Sequence, residues 1–112
     1  NILSEIDTAL ETTAKHCPRN VDNLCCGNFG QLDLLLEAGQ QLKRPDLTLL
    51  ARKITAVLTQ RAAQEGAFHL ITKLPRGVFN PGLMQGISGI GYALLRTSEP
   101  EGIPSVLSLS LD

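Results

Sequence analysis

Apolar residues return at every third or fourth position at the start of the chain. Ile2, Leu3, Ile6, Ala9, Leu10 and Thr13 share one face, and Glu5, Asp7 and Glu11 fall elsewhere. The spacing predicts an amphipathic helix over residues 2–14. Its end falls between His16 and Asn20, because Pro18 removes a backbone donor and the polar run Arg19, Asn20, Asp22, Asn23 belongs to a loop. From Gly27 to Ala38 the chain is apolar nearly all round, with Phe29, Leu32, Leu34, Leu35 and Leu36 interrupted by Gln31, Asp33 and Glu37. A second, mostly buried helix is predicted there, with Gly39 as its C-terminal stop. Pro45 and Asp46 open a third helix, in which Leu47, Leu50, Ile54, Val57, Leu58 and Ala62 form a narrower stripe, and Gly66 ends it.

Residues 67–74 fit either a short strand or an irregular connector, and Pro75, Gly77, Asn80, Pro81 and Gly82 mark a turn-rich loop. Gly86 to Arg96 predicts a fourth buried helix, although each of its glycines costs about 1 kcal/mol in an isolated helix. Those glycines must answer to close helix packing or to a site. After Glu99 to Gly102, leucine and serine alternate through Leu111 with a period of two, which predicts an extended tail packed by one face. An internal repeat organises the whole. Leu24-Cys25-Cys26-Gly27-Asn28-Phe29-Gly30 aligns without a gap on Leu83-Met84-Gln85-Gly86-Ile87-Ser88-Gly89, an L-x-x-G-x-x-G motif that runs into a buried helix each time. Each copy follows a more amphipathic helix, so the order is outer, inner, outer, inner. Stacked arrays generally need roughly three such units, which predicts that the native unit extends upstream.

Composition narrows the class further. The chain of 112 residues is one domain's worth, and 43% hydrophobic against 19% charged residues is a globular balance. No apolar run approaches the roughly 18 residues of a membrane span. A net charge of -1 leaves no surplus for a phosphate backbone, which argues against a nucleic-acid partner. The amphipathic start carries no signal-peptide pattern, and the opening residue, Asn1, suggests a piece of something longer. Cys17, Cys25 and Cys26 are odd in number, which fits a reducing cytoplasm better than a disulfide framework. Adjacent Cα atoms about 3.8 Å apart would also strain a Cys25–Cys26 bridge.

The candidate chemistry lies at Cys25 and Cys26. They stand just ahead of Gly27 and Gly30, where unpaired amides and the dipole of a helix start favour a thiolate. Two neighbouring thiolates reach one zinc ion if the backbone turns sharply, as Gly27 permits; catalysis needs one further protein ligand and a closed structural site two. The same pair also fits inert, packed cysteines. A cluster of His16, Cys17, Cys25 and Cys26 is conceivable, although its spacing matches no common zinc finger. Cys17 reads as a small apolar residue at a helix end. His69, between Phe68 and Leu70 with no carboxylate or cysteine beside it, reads as a structural histidine. No Ser/His/Asp arrangement or phosphate-binding loop is present, and the L-x-x-G-x-x-G glycines lack the preceding strand of a dinucleotide site.

LCCGNFGQLDLLLEAG resembles the zinc-binding stretch of the lanthionine synthetase cyclase domain, and PGLMQGISGIGYALLRTSEPEGIPSVL is similar to the C-terminal end of the class II lanthipeptide synthetases. Leu83, Met84, Gly86, Gly89, Gly91, Tyr92, Leu95, Pro104, Ser105 and Val106 fall on that terminal pattern. The resemblance implies an all-α fold, part of an α/α toroid whose inner helices start at G-x-x-G motifs, here Gly27, Gly30, Gly86 and Gly89. It implies zinc held by Cys25 and by Cys26, which stands where most members have histidine and so resembles the subgroup with three cysteine ligands. The implied reaction adds a peptide cysteine to dehydroalanine or dehydrobutyrine in a dehydrated precursor peptide, with the remainder of the synthetase as partner. The family's first zinc cysteine and its acid–base histidine would lie upstream of residue 1. Residues 1–112 would then be a C-terminal piece of a cyclase domain, weakly active or inactive alone, and its stripped inner surface predicts a homodimer or helix swap. A helical-repeat interaction module without chemistry, or a small structural zinc domain using His16 and Cys17, are the competing readings.

Overall fold

In the computed structural model, which describes residues 1–70 and 80–109, the side chain of Asn1 accepts a hydrogen bond from the Leu3 amide at 3.0 Å and starts α1 (Ile2–His16). The helices that follow are α2 (Asn28–Gln41), α3 (Pro45–Glu65) and α4 (Ile87–Ser98). No strand occurs among the described residues, so the predicted all-α class and its four main helices are the observed ones. Pro45 opens α3 because a first-turn amide has no helical partner to lose. Gly66 closes it in the left-handed region, φ 84°, and its amide donates to the Ala62 carbonyl at 2.8 Å. Of the connector expected over 67–74, residues 67–70 are irregular; the rest, with Pro75 and Gly77, lies outside the described residues.

Two expectations are corrected. Gly39 does not stop α2, which continues to Gln41 before the Leu42 amide closes it on the Ala38 carbonyl at 2.9 Å. Gly39 instead marks where α2 meets the start of α3. A Cβ there would stand 3.2 Å from the Arg44 carbonyl oxygen and 3.2 Å from the Thr48 nitrogen, and would strike the Thr48 hydroxyl. The expected extended tail is also absent over 106–109, which form a turn with Leu109 at φ 55°. The Ser105 hydroxyl accepts the Ser108 amide at 3.2 Å and curls the chain back, leaving Val106, Leu107 and Leu109 exposed. Residues 110–112 lie outside the described residues.

α2 sits at the centre and touches α1, α3 and α4. Leu24 and the α2 residues Phe29, Leu32, Leu35 and Leu36 meet Leu47, Ala51, Ile54 and Leu58 of α3, with Leu10, Ile90 and Ala93 at the margins. Each such leucine contributes about 1.5–3 kcal/mol by leaving water. Phe29 also meets Phe68 edge-on, with ring centroids 5.6 Å apart. On α3 the predicted stripe holds except that Ala51 is buried and Val57 is exposed. On α1 only Leu10 is fully buried, while Ile2 and Leu3 face outward.

α4 is less buried than expected. Gly89, Ile90, Ala93, Arg96 and Thr97 are buried, whereas Ile87 and Leu95 are exposed. Arg96, at 1% exposure, pairs with Asp33 at 3.0 Å and Glu37 at 2.5 Å, both on α2. The Ser105 hydroxyl donates to the other Asp33 oxygen at 2.5 Å. Tyr92 adds a second tie: its hydroxyl donates to the Pro104 carbonyl and accepts the Val106 amide, each at 2.8 Å. Together these bonds pin the segment after α4 back onto α4 and α2.

Candidate functional site

The sequence repeat is a repeat of one loop conformation. In the first copy the Asn28 amide donates to the Val21 carbonyl at 2.7 Å, and in the second the Ile87 amide donates to the Asn80 carbonyl at 2.8 Å. Gly27 and Gly86 cap α2 and α4 with matching extended torsions, φ −117° with ψ −163° and φ −123° with ψ −168°. Neither φ requires glycine; the lack of room does. A Cβ on Gly27 would lie 2.5 Å from the Asn23 nitrogen and 2.6 Å from the Val21 oxygen, and one on Gly86 would lie 2.5 Å from the Gly82 nitrogen. A Cβ on Gly30 or Gly89 would strike the carbonyl oxygen of Leu24 or Leu83 respectively. Both motif glycines therefore let the loop backbone fold tightly against its own helix start.

The two loops are also joined to each other. The Cys25 amide donates to the Met84 carbonyl at 3.0 Å, and the Asn23 side-chain nitrogen donates to the Gln85 carbonyl at 2.5 Å. A Cβ on Gly89 would come within 3.0 Å of the Leu24 Cβ, so the second loop's glycine accommodates the first loop's leucine.

Cys25 and Cys26 lie on this joined surface as exposed free thiols with their sulfurs 2.8 Å apart. The hydrogen bond with Cys25 raises the Cys26 pKa above its ordinary value, with desolvation and the Cys25 charge acting in the same direction. Two soft donors converging on an open side are the right chemistry for two positions around a thiophilic metal ion such as zinc. Among the described residues no group of three or more His, Cys, Asp or Glu side chains comes together, so at this point the described residues bring two donors together.

The other sequence candidates lie elsewhere. Cys17 is buried and its thiol donates to the Asn28 side-chain oxygen at 3.7 Å; burial pushes its pKa up to about 11. The His16 Nδ1 faces the Thr12 carbonyl at 2.8 Å. The four-residue cluster is thus not formed. His69 is structural, as expected, but it does have a carboxylate partner: Nε2 pairs with Glu65, and Nδ1 lies 3.0 Å from the Asn20 carbonyl.

What the sequence did not reveal is the buried polar network under the loop. Asp22, Asn23 and Asn28 are all 0% exposed although they belong to a loop and a helix start. Asp22 meets Asn28, the His69 amide and Arg61, and Asn28 grips the Arg19 backbone through both side-chain groups. The only signal was an Asp-Asn pair just ahead of the motif, which reads equally well as a solvated turn.

Paired outer and inner helices, inner helices started by glycine-gripped loops, and a thiol pair on one loop define an all-α helical-repeat protein with a candidate metal-binding surface. The family model described as "Lanthionine synthetase C-like protein" matches residues 1–108, and the chain belongs to that family, which is associated with the cyclase step of lanthionine synthesis. Neither the curated proteins nor the solved structures give a match. No described helix is long and apolar enough to cross a membrane.

Proposed function

We propose that this chain is part of the cyclase of a class II lanthipeptide synthetase, of the Cys-Cys-Gly type, and that it works in the cytoplasm on a ribosomally made, dehydrated precursor peptide. The observation that carries this reading is the exposed, converging pair Cys25 and Cys26 at the start of α2, beside the second loop of a family-matched chain. The two thiols would be two of three protein ligands to zinc, the third coming from the rest of the synthetase. A zinc ion bound there would supply the Lewis acidity that keeps a peptide thiol deprotonated near neutral pH.

In the proposed reaction the peptide sulfur forms a bond to the β-carbon of dehydroalanine or dehydrobutyrine, and a proton is delivered to the α-carbon. The product is lanthionine or methyllanthionine. Within this chain, Cys25 and Cys26 anchor the site, and Gly27, Gly30, Gly86 and Gly89 hold the two helix starts close enough for Met84 and Gln85 to form the neighbouring wall. The proton donor is a group outside these residues.

The test is made in the full-length synthetase with Cys25→Ala and Cys26→Ala. Zinc content is read by elemental analysis, and free thiols in the product by alkylation and mass spectrometry. Each variant is expected to lose zinc and release dehydrated peptide with its cysteines open to alkylation. Full zinc content and normal ring formation in both would overturn the reading and leave a packing role for the cysteines.

A further inference from the structure

The reaction proposed above makes no use of Asp22, yet this carboxylate is fully buried in the loop just before the thiol pair. A carboxylate taken out of water is costly unless its oxygens are met by donors. Both are met. One oxygen accepts from the Asn28 side-chain nitrogen at 2.9 Å, and the other accepts from the His69 amide at 2.7 Å and from the Arg61 guanidinium. The Asp22 backbone is held too, its amide donating to the His69 carbonyl at 2.7 Å and its carbonyl accepting from the Phe29 amide at 3.4 Å.

These bonds bracket the thiols. Asp22 stands on one side of Cys25 and Cys26, and Asn28, the first residue of α2, on the other, so one side-chain bond fastens the two ends of the loop together. Asn28 is itself locked, its oxygen accepting the Arg19 amide at 2.5 Å and its nitrogen donating to the Arg19 carbonyl at 2.7 Å. Arg61 brings the fastening to α3 and also donates to the Arg19 carbonyl at 3.3 Å. Adjacent cysteines aim at one point only in a narrow range of loop conformations, and Gly27 has no side chain with which to impose one.

Resting on the reading of Cys25 and Cys26 as zinc ligands, we propose that Asp22 is a positioning residue: through Asn28, Arg61 and the His69 amide it holds the loop in the conformation in which both sulfurs meet one metal ion. An amide at this position cannot do the same. Asp22→Asn keeps the shape but turns one acceptor into a donor, which then faces the donors already gathered there.

The experiment measures zinc affinity of the full-length synthetase by competition with a chromophoric chelator, alongside thermal unfolding. Asp22 bonds to neither Cys25 nor Cys26 and acts through the loop, so Asp22→Asn is expected to weaken zinc binding by about 10-fold, the lower end of the effect of losing a direct partner of a metal ligand. The control is Asp33→Asn, an equally interior carboxylate that belongs to the Arg96 network and makes none of the loop contacts. It is expected to lower the unfolding temperature and leave zinc affinity within about twofold, well short of that effect. Unchanged affinity in Asp22→Asn, or equal weakening in both variants, would overturn the proposal. If Asp22→Asn does not fold, Arg61→Lys, altered at the partly exposed partner, is read by the same criterion. A Cys25→Ala/Cys26→Ala double variant that keeps wild-type zinc affinity would instead sink the ligand reading itself.

Discussion

The Cys25 amide donates to the Met84 carbonyl oxygen at 3.0 Å, which makes the two L-x-x-G-x-x-G loops one hydrogen-bonded unit. A shift at the start of α4 is therefore transmitted to the backbone that carries the thiols. The glycines of α4 are the place to see this, because they differ in what surrounds them.

At Gly89 an added methyl would meet the Leu83 backbone carbonyl and the side chain of the fully buried Leu24. Gly89→Ala is expected to destabilise the chain by about 1–3 kcal/mol, the range for overpacking. At Gly91 nothing lies within 4 Å, and Gly91→Ala is expected to stabilise by up to about 1 kcal/mol through helix propensity alone. Urea unfolding of the two variants checks both signs.

Removing the buried cation should be worse than either. Arg96→Met leaves two neighbouring carboxylates of α2, Asp33 and Glu37, at the α2–α4 contact without the cation that both meet. The expected loss is about 3–5 kcal/mol, the cost of breaking a buried pair from one side. Combining Arg96→Met with Asp33→Leu and Glu37→Gln should recover much of it, and chemical denaturation of the single and triple variants compares them.

Cys17 gives a pH signature. Burial raises its thiol from the ordinary 9.0 to about 11, so the unfolded chain releases this proton at lower pH than the folded one. The stability it contributes is complete below about pH 9 and is lost as the pH rises toward about 11. The gap in unfolding temperature between the parent chain and Cys17→Ala is therefore expected to change little up to about pH 8 and to shift in favour of the variant between about pH 9 and 11. In the metal-free protein at about pH 8, iodoacetamide should also label the exposed Cys25 and Cys26 before Cys17.

Cys26→His tests what a second thiolate contributes to the proposed site. A thiolate carries a negative charge where a coordinated imidazole is neutral, so the sulfur of the bound peptide should be more electron-rich with cysteine present. The variant in the full-length synthetase is expected to keep zinc and cyclise more slowly in single turnovers. Faster cyclisation would contradict the argument.

Local punctuation made much of this fold legible. Pro45 and Gly66 bound α3 as their backbone chemistry requires, and the repeated glycines located both inner helix starts. Burial was harder to read where a pattern had two physical explanations. The apolar run of α4 reads as a buried helix, but Ile87 and Leu95 meet no covering element among the described residues. Alternating leucine and serine fits a strand and fits a turn, and the Ser105 hydroxyl decides for the turn. Arg96 and Asp22 were out of reach for another reason. The partners of Arg96 lie on α2, and two of the three that meet the Asp22 carboxylate, Arg61 and the His69 amide, are also far along the chain, so a local window of sequence does not show them.

The matched loops have a consequence for engineering. Met84 and Gln85 occupy in the second loop the places that Cys25 and Cys26 hold in the first, on the same backbone course and likewise exposed. The socket and its chemical contents are thus separable: one copy carries two thiols, the other a thioether and an amide. Installing Met84→Cys and Gln85→Cys should create a twin dithiol beside the native one, so that four thiols stand on two adjoining helix starts.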